Sequence, residues 1–170
     1  EAYMGAESIQ RRLQAFDLAA ETGRGAFVLA LTSNPEGASV QHVGGPEASV
    51  ARGIVAAARQ LNERLREAGP EDAGGWELAG PCGLVVGATV GAALTRLGID
   101  LADFPGPILA PGYGAQGATE EDLARVFAGA SQRLVVSSSR AILRHGPRAE
   151  ELREEILRTN RRLIAGLAGS

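Results

Sequence analysis

Short apolar runs alternate with longer stretches of helical periodicity along this chain. Four of the runs have the length of buried strands: Ala26–Leu31, Gly83–Val86, Pro107–Ala110 and Leu134–Val136. Each is closely followed by glycine, proline or serine, and none shows the strict apolar–polar alternation of a half-exposed strand. Continuous apolar strands of this kind are typical of parallel sheets that are covered on both faces.

Apolar residues at helical spacing predict the elements between the strands. The predicted helices are Ser8–Glu21, Pro46–Ala68, Val90–Leu97, Thr119–Ala128 and Ala149–Leu167, with a short helical stretch at Ala141–Leu143. Thr119 and Asp122 have the spacing of a capping box. Because strands alternate with helices, the pattern predicts an α/β fold built on a parallel sheet.

Four βα units and a preceding helix amount to about half of a (β/α)8 TIM-type barrel, which takes eight units and about 250 residues. The alternative is an open doubly wound sheet, but that fold places G-x-G-x-x-G after its first strand, and this chain has Thr-Ser-Asn-Pro-Glu-Gly there. We therefore predict that residues 1–170 are a single segment holding about half of such a barrel. Because residue 1 is Glu1 rather than Met, we expect an N-terminal part that is missing or lies on another chain.

Composition narrows the functional classes. A formal net charge of −3 gives no footprint of a nucleic-acid-binding surface, and no apolar run reaches the roughly 18 residues of a membrane span. One cysteine, Cys82, and two distant histidines leave no pattern for a disulfide framework or a Cys/His metal site. All 17 basic residues are arginine, so the chain offers no lysine amine for catalysis.

Glycine-rich and polar segments follow the predicted strands, where parallel α/β folds concentrate their functional residues. Residues 111–117, Pro-Gly-Tyr-Gly-Ala-Gln-Gly, combine three glycines with Gln116 after the third strand. Glycines let a backbone approach a ligand closely and let a loop move, so this segment is predicted to close over a ligand. The alternative is a flexible connector without a ligand.

Two further strand exits carry candidate binding residues. Ser139 and Arg140 stand just before the short helical stretch that follows the fourth strand, where backbone N–H groups and a guanidinium can together bind a phosphate. The alternative for Arg140 is a surface ion pair. Ser33 follows the first strand, where its hydroxyl can bond an amide or pyrimidine edge or simply cap a turn.

Four segments together resemble a known family. VLALTSNPEGASVQH, GLVVGATVG, ILAPGYGAQGAT and LVVSSSRAIL are similar, in order and spacing, to the second half of orotidine 5′-phosphate decarboxylases, most closely those of the longer bacterial subgroup. The resemblance runs from Tyr3-Met4-Gly5 to about Leu143. Its T-S-N-P-E-G and P-G-x-G-A-Q-G strings are specific in combination.

This resemblance implies a (β/α)8 barrel, of which residues 1–170 hold about the last four units. It also implies that the barrel works as a cytoplasmic homodimer in pyrimidine biosynthesis. It implies decarboxylation of orotidine 5′-monophosphate to uridine 5′-monophosphate without a metal or organic cofactor. It also implies substrate-binding roles for five residues: Ser33 at the pyrimidine amide edge, Pro111 in the base pocket near the carboxylate, Gln116 bridging from a mobile loop toward the phosphate, Arg140 on the phosphate, and Ser139 through its backbone N–H. The family often has glycine where Ser139 stands, and a backbone contact survives that exchange.

The family's charged network is absent from this sequence. An Asp-x-Lys-x-x-Asp motif and a further lysine, which protonates the carbanion at C6, belong to earlier strand ends in the family, and the chain contains no lysine. We therefore expect it to bind phosphate and base but to be inactive without a lysine-bearing half. Two alternatives stay open: a non-catalytic nucleotide- or phosphosugar-binding half-barrel module, and another phosphate-binding barrel enzyme such as a phosphosugar epimerase or a β-keto acid decarboxylase.

Overall fold

The computed structural model describes residues 13–68 and 80–168. Its strands are β1 (Ala26–Leu31), β2 (Cys82–Val86), β3 (Ile108–Pro111) and β4 (Leu134–Ser137). Its helices are α1 (Leu13–Glu21), α2 (Pro35–Gln41), α3 (Gly45–Ala48), α4 (Val50–Ala68), α5 (Gly91–Arg96), α6 (Glu120–Val126), α7 (Arg140–Leu143) and α8 (Ala149–Leu167), with a 3₁₀ turn at Ser131–Arg133. Tyr3-Met4-Gly5 and the first turn of the predicted helix Ser8–Glu21 lie outside the described residues.

The four strands form one parallel sheet whose order is the order of the chain, β1-β2-β3-β4. Each crossover therefore moves one position in the same direction, as in a singly wound barrel. A doubly wound sheet would reverse direction at a switch point. Over the described residues, the strand order favours the predicted barrel over the doubly wound alternative.

The two faces of this sheet differ in what covers them. On one face Leu84, Ile108 and Ala110 are completely buried, and they belong to a core that includes Ile54 and Leu61 of α4. α4 packs on both β1 and β2 and supplies most of this cover. The buried strand residues alternate with residues that point to the opposite face, as the pleat of a strand requires.

The opposite face, which we call the open face, consists of Phe27, Leu29, Val85, Leu109 and Val135. Strand register sets Leu29 beside Val85, Val85 beside Leu109, and Leu109 beside Val135. Phe27 is 45% exposed and Val135 is 47% exposed. A Cβ atom on Gly83 would lie 2.5 Å from the Phe27 ring, so a glycine is what lets this ring lie across β2. A row of apolar side chains thus has no helix layer over it within the described residues.

The predicted helix Pro46–Ala68 is wrong in one respect, because the structure has two helices there. Ser49 adopts an extended backbone with φ −64° and ψ 149°, which ends α3. Its Oγ then accepts a hydrogen bond from the Arg52 N–H at 3.3 Å, as an N-cap residue of α4 does. The helix α2, which has Pro35 in its first turn, was not predicted from the sequence pattern.

The other helices follow the sequence pattern closely. The capping box of α6 is confirmed: the Thr119 hydroxyl accepts from the Asp122 N–H at 3.2 Å, and the Asp122 carboxylate accepts from the Thr119 N–H at 3.0 Å. α8 has the predicted bounds, Ala149–Leu167. Among the helices that the structure describes, none is long and apolar enough to cross a membrane.

Candidate functional site

The carboxyl ends of the strands meet at one edge of the sheet. The Gly87 N–H, just after β2, donates to the carbonyl of Leu31 at 2.9 Å, and the Ala88 N–H donates to the carbonyl of Pro111 at 2.8 Å. These two hydrogen bonds hold the exits of β1, β2 and β3 side by side. The segments singled out in the sequence therefore share one edge.

A pocket of about 130 Å³ opens between the ends of β3 and β4. Its lining consists of Pro111, Gly112, Tyr113, Ala115, Gln116, Ser137, Ser138, Ser139 and Arg140. The structure thus brings together four of the five predicted site residues. Pockets that enclose a whole drug-sized ligand measure about 300–1,000 Å³, so this one has room for a single group of a larger molecule.

Arg140 gives the pocket a positive charge, because the other lining residues are uncharged. Its side chain is exposed at the beginning of α7. The ion pairs recorded within residues 13–68 and 80–168 involve other cationic side chains, and none of them includes Arg140. Because one arginine, three serines and Gln116 line it, the pocket has a composition suited to an anion.

The loop that carries Gln116 is held by hydrogen bonds of its own backbone. The Gly114 N–H donates to the carbonyl of Ala118 at 3.0 Å, and the Gln116 N–H donates to the carbonyl of Gly112 at 3.3 Å. Gly112 has φ +105°, and a Cβ atom there would lie 2.8 Å from Oε1 of Gln116. The Gln116 side chain therefore folds back over Gly112, a position that glycine suits best.

Ser33 lies apart from this pocket. It is exposed at the end of β1, two strands away from β3. The residue before it is held by Gln41, which is completely buried: the Thr32 N–H donates to Oε1 of Gln41 at 3.0 Å, and Nε2 of Gln41 donates to the Thr32 hydroxyl at 2.9 Å. Gln41 was not predicted from the sequence. The feature that could have indicated it is a single amide side chain in a helix that packs against the sheet.

Tyr113 is a second residue that the sequence analysis missed. It is 4% exposed, and its hydroxyl donates to Oε1 of Glu120 at 2.6 Å, an oxygen that Nε of Arg162 also approaches to 3.3 Å. Burial, followed by the bond to Glu120, raises the pKa of Tyr113 to about 12, and the same bond lowers the pKa of Glu120. At neutral pH the phenol is thus neutral and the carboxylate ionised. The sequence pattern that could have singled out Tyr113 is a lone aromatic residue in a loop with three glycines.

A reactive cysteine and a metal site find no support in the described residues. Cys82 is buried at the start of β2, and burial raises the pKa of its thiol to about 12, which leaves it protonated and unreactive at neutral pH. No three His, Cys, Asp or Glu side chains of residues 13–68 and 80–168 are grouped as a metal site.

A singly wound parallel sheet with a cationic pocket at the carboxyl ends of its strands defines part of a (β/α)8-barrel protein whose pocket suits an anion. Comparison with protein families names the group more closely. The family model for the orotidine 5′-phosphate decarboxylase / HUMPS family matches residues 1–154, and the chain belongs to this family.

Curated relatives and solved structures agree with this membership. An orotidine 5′-phosphate decarboxylase of Streptomyces coelicolor is 47% identical over 153 residues, which are 89% of this chain and 48% of the relative. One of Salinispora arenicola is 44% identical over 91% of this chain and 51% of its own length. A crystal structure described as an orotidine 5′-phosphate decarboxylase of Streptomyces avermitilis has a TM-score of 0.75 at 43% identity, over 91% of this chain and 49% of that chain.

A more distant structure supports the fold alone. A Toxoplasma gondii structure shares 23% identity and has a TM-score of 0.66 over 92% of this chain. In all these comparisons the chain spans about half the length of the protein that it matches. The four βα units are therefore part of a (β/α)8 barrel.

Proposed function

We propose that this chain supplies the phosphate- and base-binding half of an orotidine 5′-phosphate decarboxylase, which converts orotidine 5′-monophosphate to uridine 5′-monophosphate. The observation that carries the proposal is the cationic pocket between β3 and β4, which Arg140 and Gln116 both line. Arg140 binds the phosphate, and the backbone N–H of Ser139 assists it. Gln116 bridges from its loop toward the phosphate, and Pro111 lines the base pocket.

The separation of Ser33 from this pocket supports a nucleotide as the ligand. Ser33 follows β1 and Arg140 follows β4, three steps along the sheet. Neighbouring strands lie about 4.8 Å apart, so the two positions are separated by roughly 14 Å. A nucleotide that has its phosphate at Arg140 extends over this distance and presents its base edge to the Ser33 hydroxyl.

The open face and the missing lysine together support a second, complementary half. Phe27 and Val135 of the open face point to where the interior of a closed barrel would be, and four further strands would cover them. In this proposal residues 1–170 form a single segment with about the last four units of the barrel. The other half brings the lysine and aspartate network that transfers the proton. From the family resemblance we extend the proposal to a cytoplasmic homodimer.

Ligand binding by paired arginine variants tests the proposal. We expect uridine 5′-monophosphate and inorganic phosphate to bind the unsubstituted protein, as measured by calorimetry. Arg140→Ala should weaken both about 10- to 100-fold, because a hydrogen-bonded charge pair contributes about 1.5–3 kcal/mol. Arg144→Ala, one helical turn away and outside the pocket lining, is the matched control and should bind normally. Equal weakening by the two variants would contradict the assignment of Arg140.

A second candidate function is a non-catalytic nucleotide-binding half-barrel, which the lack of lysine in all 170 residues favours. Mixing the chain with the N-terminal half of the Streptomyces coelicolor relative distinguishes the two candidates. The decarboxylase proposal expects the absorbance of orotidine 5′-monophosphate to fall only when both halves are present. Binding of uridine 5′-monophosphate without any turnover in the assembled pair would favour the non-catalytic module.

A further inference from the structure

One chain of contacts links the last helix of the structure to the wall of the pocket. It begins at Arg162 of α8, passes through Glu120 at the first residue of α6, and ends at the hydroxyl of Tyr113. The distances are 3.3 Å from Nε of Arg162 to Oε1 of Glu120 and 2.6 Å from the Tyr113 hydroxyl to the same oxygen. Both donors therefore converge on one carboxylate oxygen.

The approach of α8 to this carboxylate is unusually close. A Cβ atom on Gly166 would lie 2.6 Å from Cβ of Glu120, so only a glycine at this position lets the helix pass. α6 and α8 pack against each other along this contact. The Arg162 guanidinium thus reaches Glu120 because the helix backbone is already against it, and α8 braces the first turn of α6.

Tyr113 carries this brace into the loop that holds Gln116. Its backbone pairs with Ala118 as an isolated bridge at the stem of the loop, and its carbonyl accepts from the Ala115 N–H at 2.9 Å and from the Ser138 hydroxyl at 3.4 Å. The stem is consequently fixed by Tyr113, whereas the tip at residues 114–117 is exposed. Tyr113 is the point at which α6, α8 and the segment after β4 meet beside the pocket.

We propose that Tyr113 is a positioning residue: through Glu120 and Arg162 it holds the Gln116 loop in place on α8, so that phosphate affinity depends on the docking of this helix. The inference rests on the proposed function. A loop with a fixed stem loses less conformational freedom when its tip closes on a ligand, and affinity rises accordingly. Tyr113 lines the pocket and Glu120 and Arg162 do not, so these two residues affect substrate binding only through Tyr113.

Kinetics of the chain assembled with its complementary half test this role. Tyr113→Phe keeps the ring and removes the hydroxyl, and we expect KM for orotidine 5′-monophosphate to rise about tenfold with kcat within twofold. Arg162→Met, an exposed change that cannot disrupt the core, should raise KM severalfold. The double variant should add little to Tyr113→Phe, because both changes break the same chain of contacts. Arg161→Met, the adjacent arginine, is the control and should leave KM unchanged.

The outcomes separate this inference from the proposed function. If the unsubstituted protein binds neither uridine 5′-monophosphate nor inorganic phosphate, the proposed function fails and takes the role of Tyr113 with it. If it binds both, and Tyr113→Phe and Arg162→Met bind as tightly as the parent, only the role of Tyr113 is overturned. A fall in kcat at unchanged KM would also overturn it, because that result indicates a smaller fraction of folded protein.

Discussion

Single polar side chains decide where the backbone of this protein is fixed. Gln41 is buried and bonds to both the N–H and the hydroxyl of Thr32, and Asn62 is buried and bonds to both the N–H and the carbonyl of Cys82 at 2.9 and 2.8 Å. A buried amide with matched partners is stable, whereas the same partners without it would be unsatisfied in the core. Each amide therefore ties a helix to one end of a strand.

The pocket residues could be predicted from the sequence, whereas the buried amides and the contacts of Tyr113, Glu120 and Arg162 could not. Pro111, Gln116, Ser139 and Arg140 lie in two short segments that each follow a strand, so local order along the chain predicts that they meet. Tyr113 donates a hydrogen bond to Glu120, seven residues later in the chain. Glu120 pairs with Arg162, which lies forty-two residues further along, in another helix. Partners at such separation depend on helix packing, which periodicity does not reveal.

The titration of Tyr113 gives a prediction at the residue scale. Its pKa is raised to about 12 from an ordinary 10, so the folded state binds this proton more tightly than the unfolded state does. The stability that it contributes is complete below pH 10 and is lost as pH rises toward about 12. Near-ultraviolet absorbance should show a phenolate transition near pH 12 that disappears in Tyr113→Phe. Survival of this transition in the variant would contradict the assignment.

Glu120 behaves in the opposite sense. Its pKa is lowered from an ordinary 4.5, chiefly by the bond from Tyr113, so its contribution to stability is complete above pH 4.5 and is lost as pH falls through the lowered value. The Tyr113–Glu120 contact is thus intact across the neutral range. Protonation of Glu120 weakens the contact in acid, and ionisation of Tyr113 breaks it in alkali.

Helix and strand boundaries were predictable wherever the signal was local. β1 and α8 have the predicted bounds, and the capping box of α6 lies where Thr119 and Asp122 placed it. The break between α3 and α4 was missed, because Pro46 suggested one long helix and the apolar spacing continues across Ser49. The decisive feature is the extended backbone of Ser49 together with its cap on Arg52, and a serine in such a pattern reads equally well as a helix residue.

Two glycine substitutions test this boundary at the scale of an element. Gly44 precedes α3 with φ +95°, and a Cβ atom there would clash with the carbonyl oxygen of Ala48. Gly44→Ala should therefore lower the free energy of unfolding by about 1–3 kcal/mol. Gly53→Ala, in the interior of α4 with open space around it, should raise it by up to about 1 kcal/mol. Urea denaturation measures both, and a shift of the same sign in the two variants would refute the assigned break.

At the scale of the whole molecule, helices cover only one face of the sheet within the described residues. Its helix-covered face is a dense core, whereas the open face shows Phe27 and Val135 to solvent. The strand order of the described residues also leaves β1 and β4 as the two edges of the sheet. Alternation of strands and helices predicted the fold class from sequence, but the exposure of this face emerges only when all four strands are in register.

Exposed apolar surface of this kind should be measurable in the isolated chain. We expect it to bind a hydrophobic dye and to self-associate as its concentration rises, because contiguous apolar surface favours association. The double variant with threonine in place of both Phe27 and Val135 should show less dye binding and less self-association. The control is Val43→Thr, which changes an even more exposed apolar residue outside the sheet and should change neither effect. Dye binding that is unchanged in the double variant would show that another surface is responsible.

The position of the pocket has a consequence for how a complete barrel could assemble. Because its lining comes entirely from the ends of β3 and β4 and the segments after them, this part of the molecule already holds the groups that we propose bind the anion, before any other strand joins it. A nucleotide seated there would present its remaining surface outward as part of the docking surface for the second half. By mass action, a ligand that contacts both halves stabilises their complex over the separated pieces. Substrate would then act as a template that draws the two halves together.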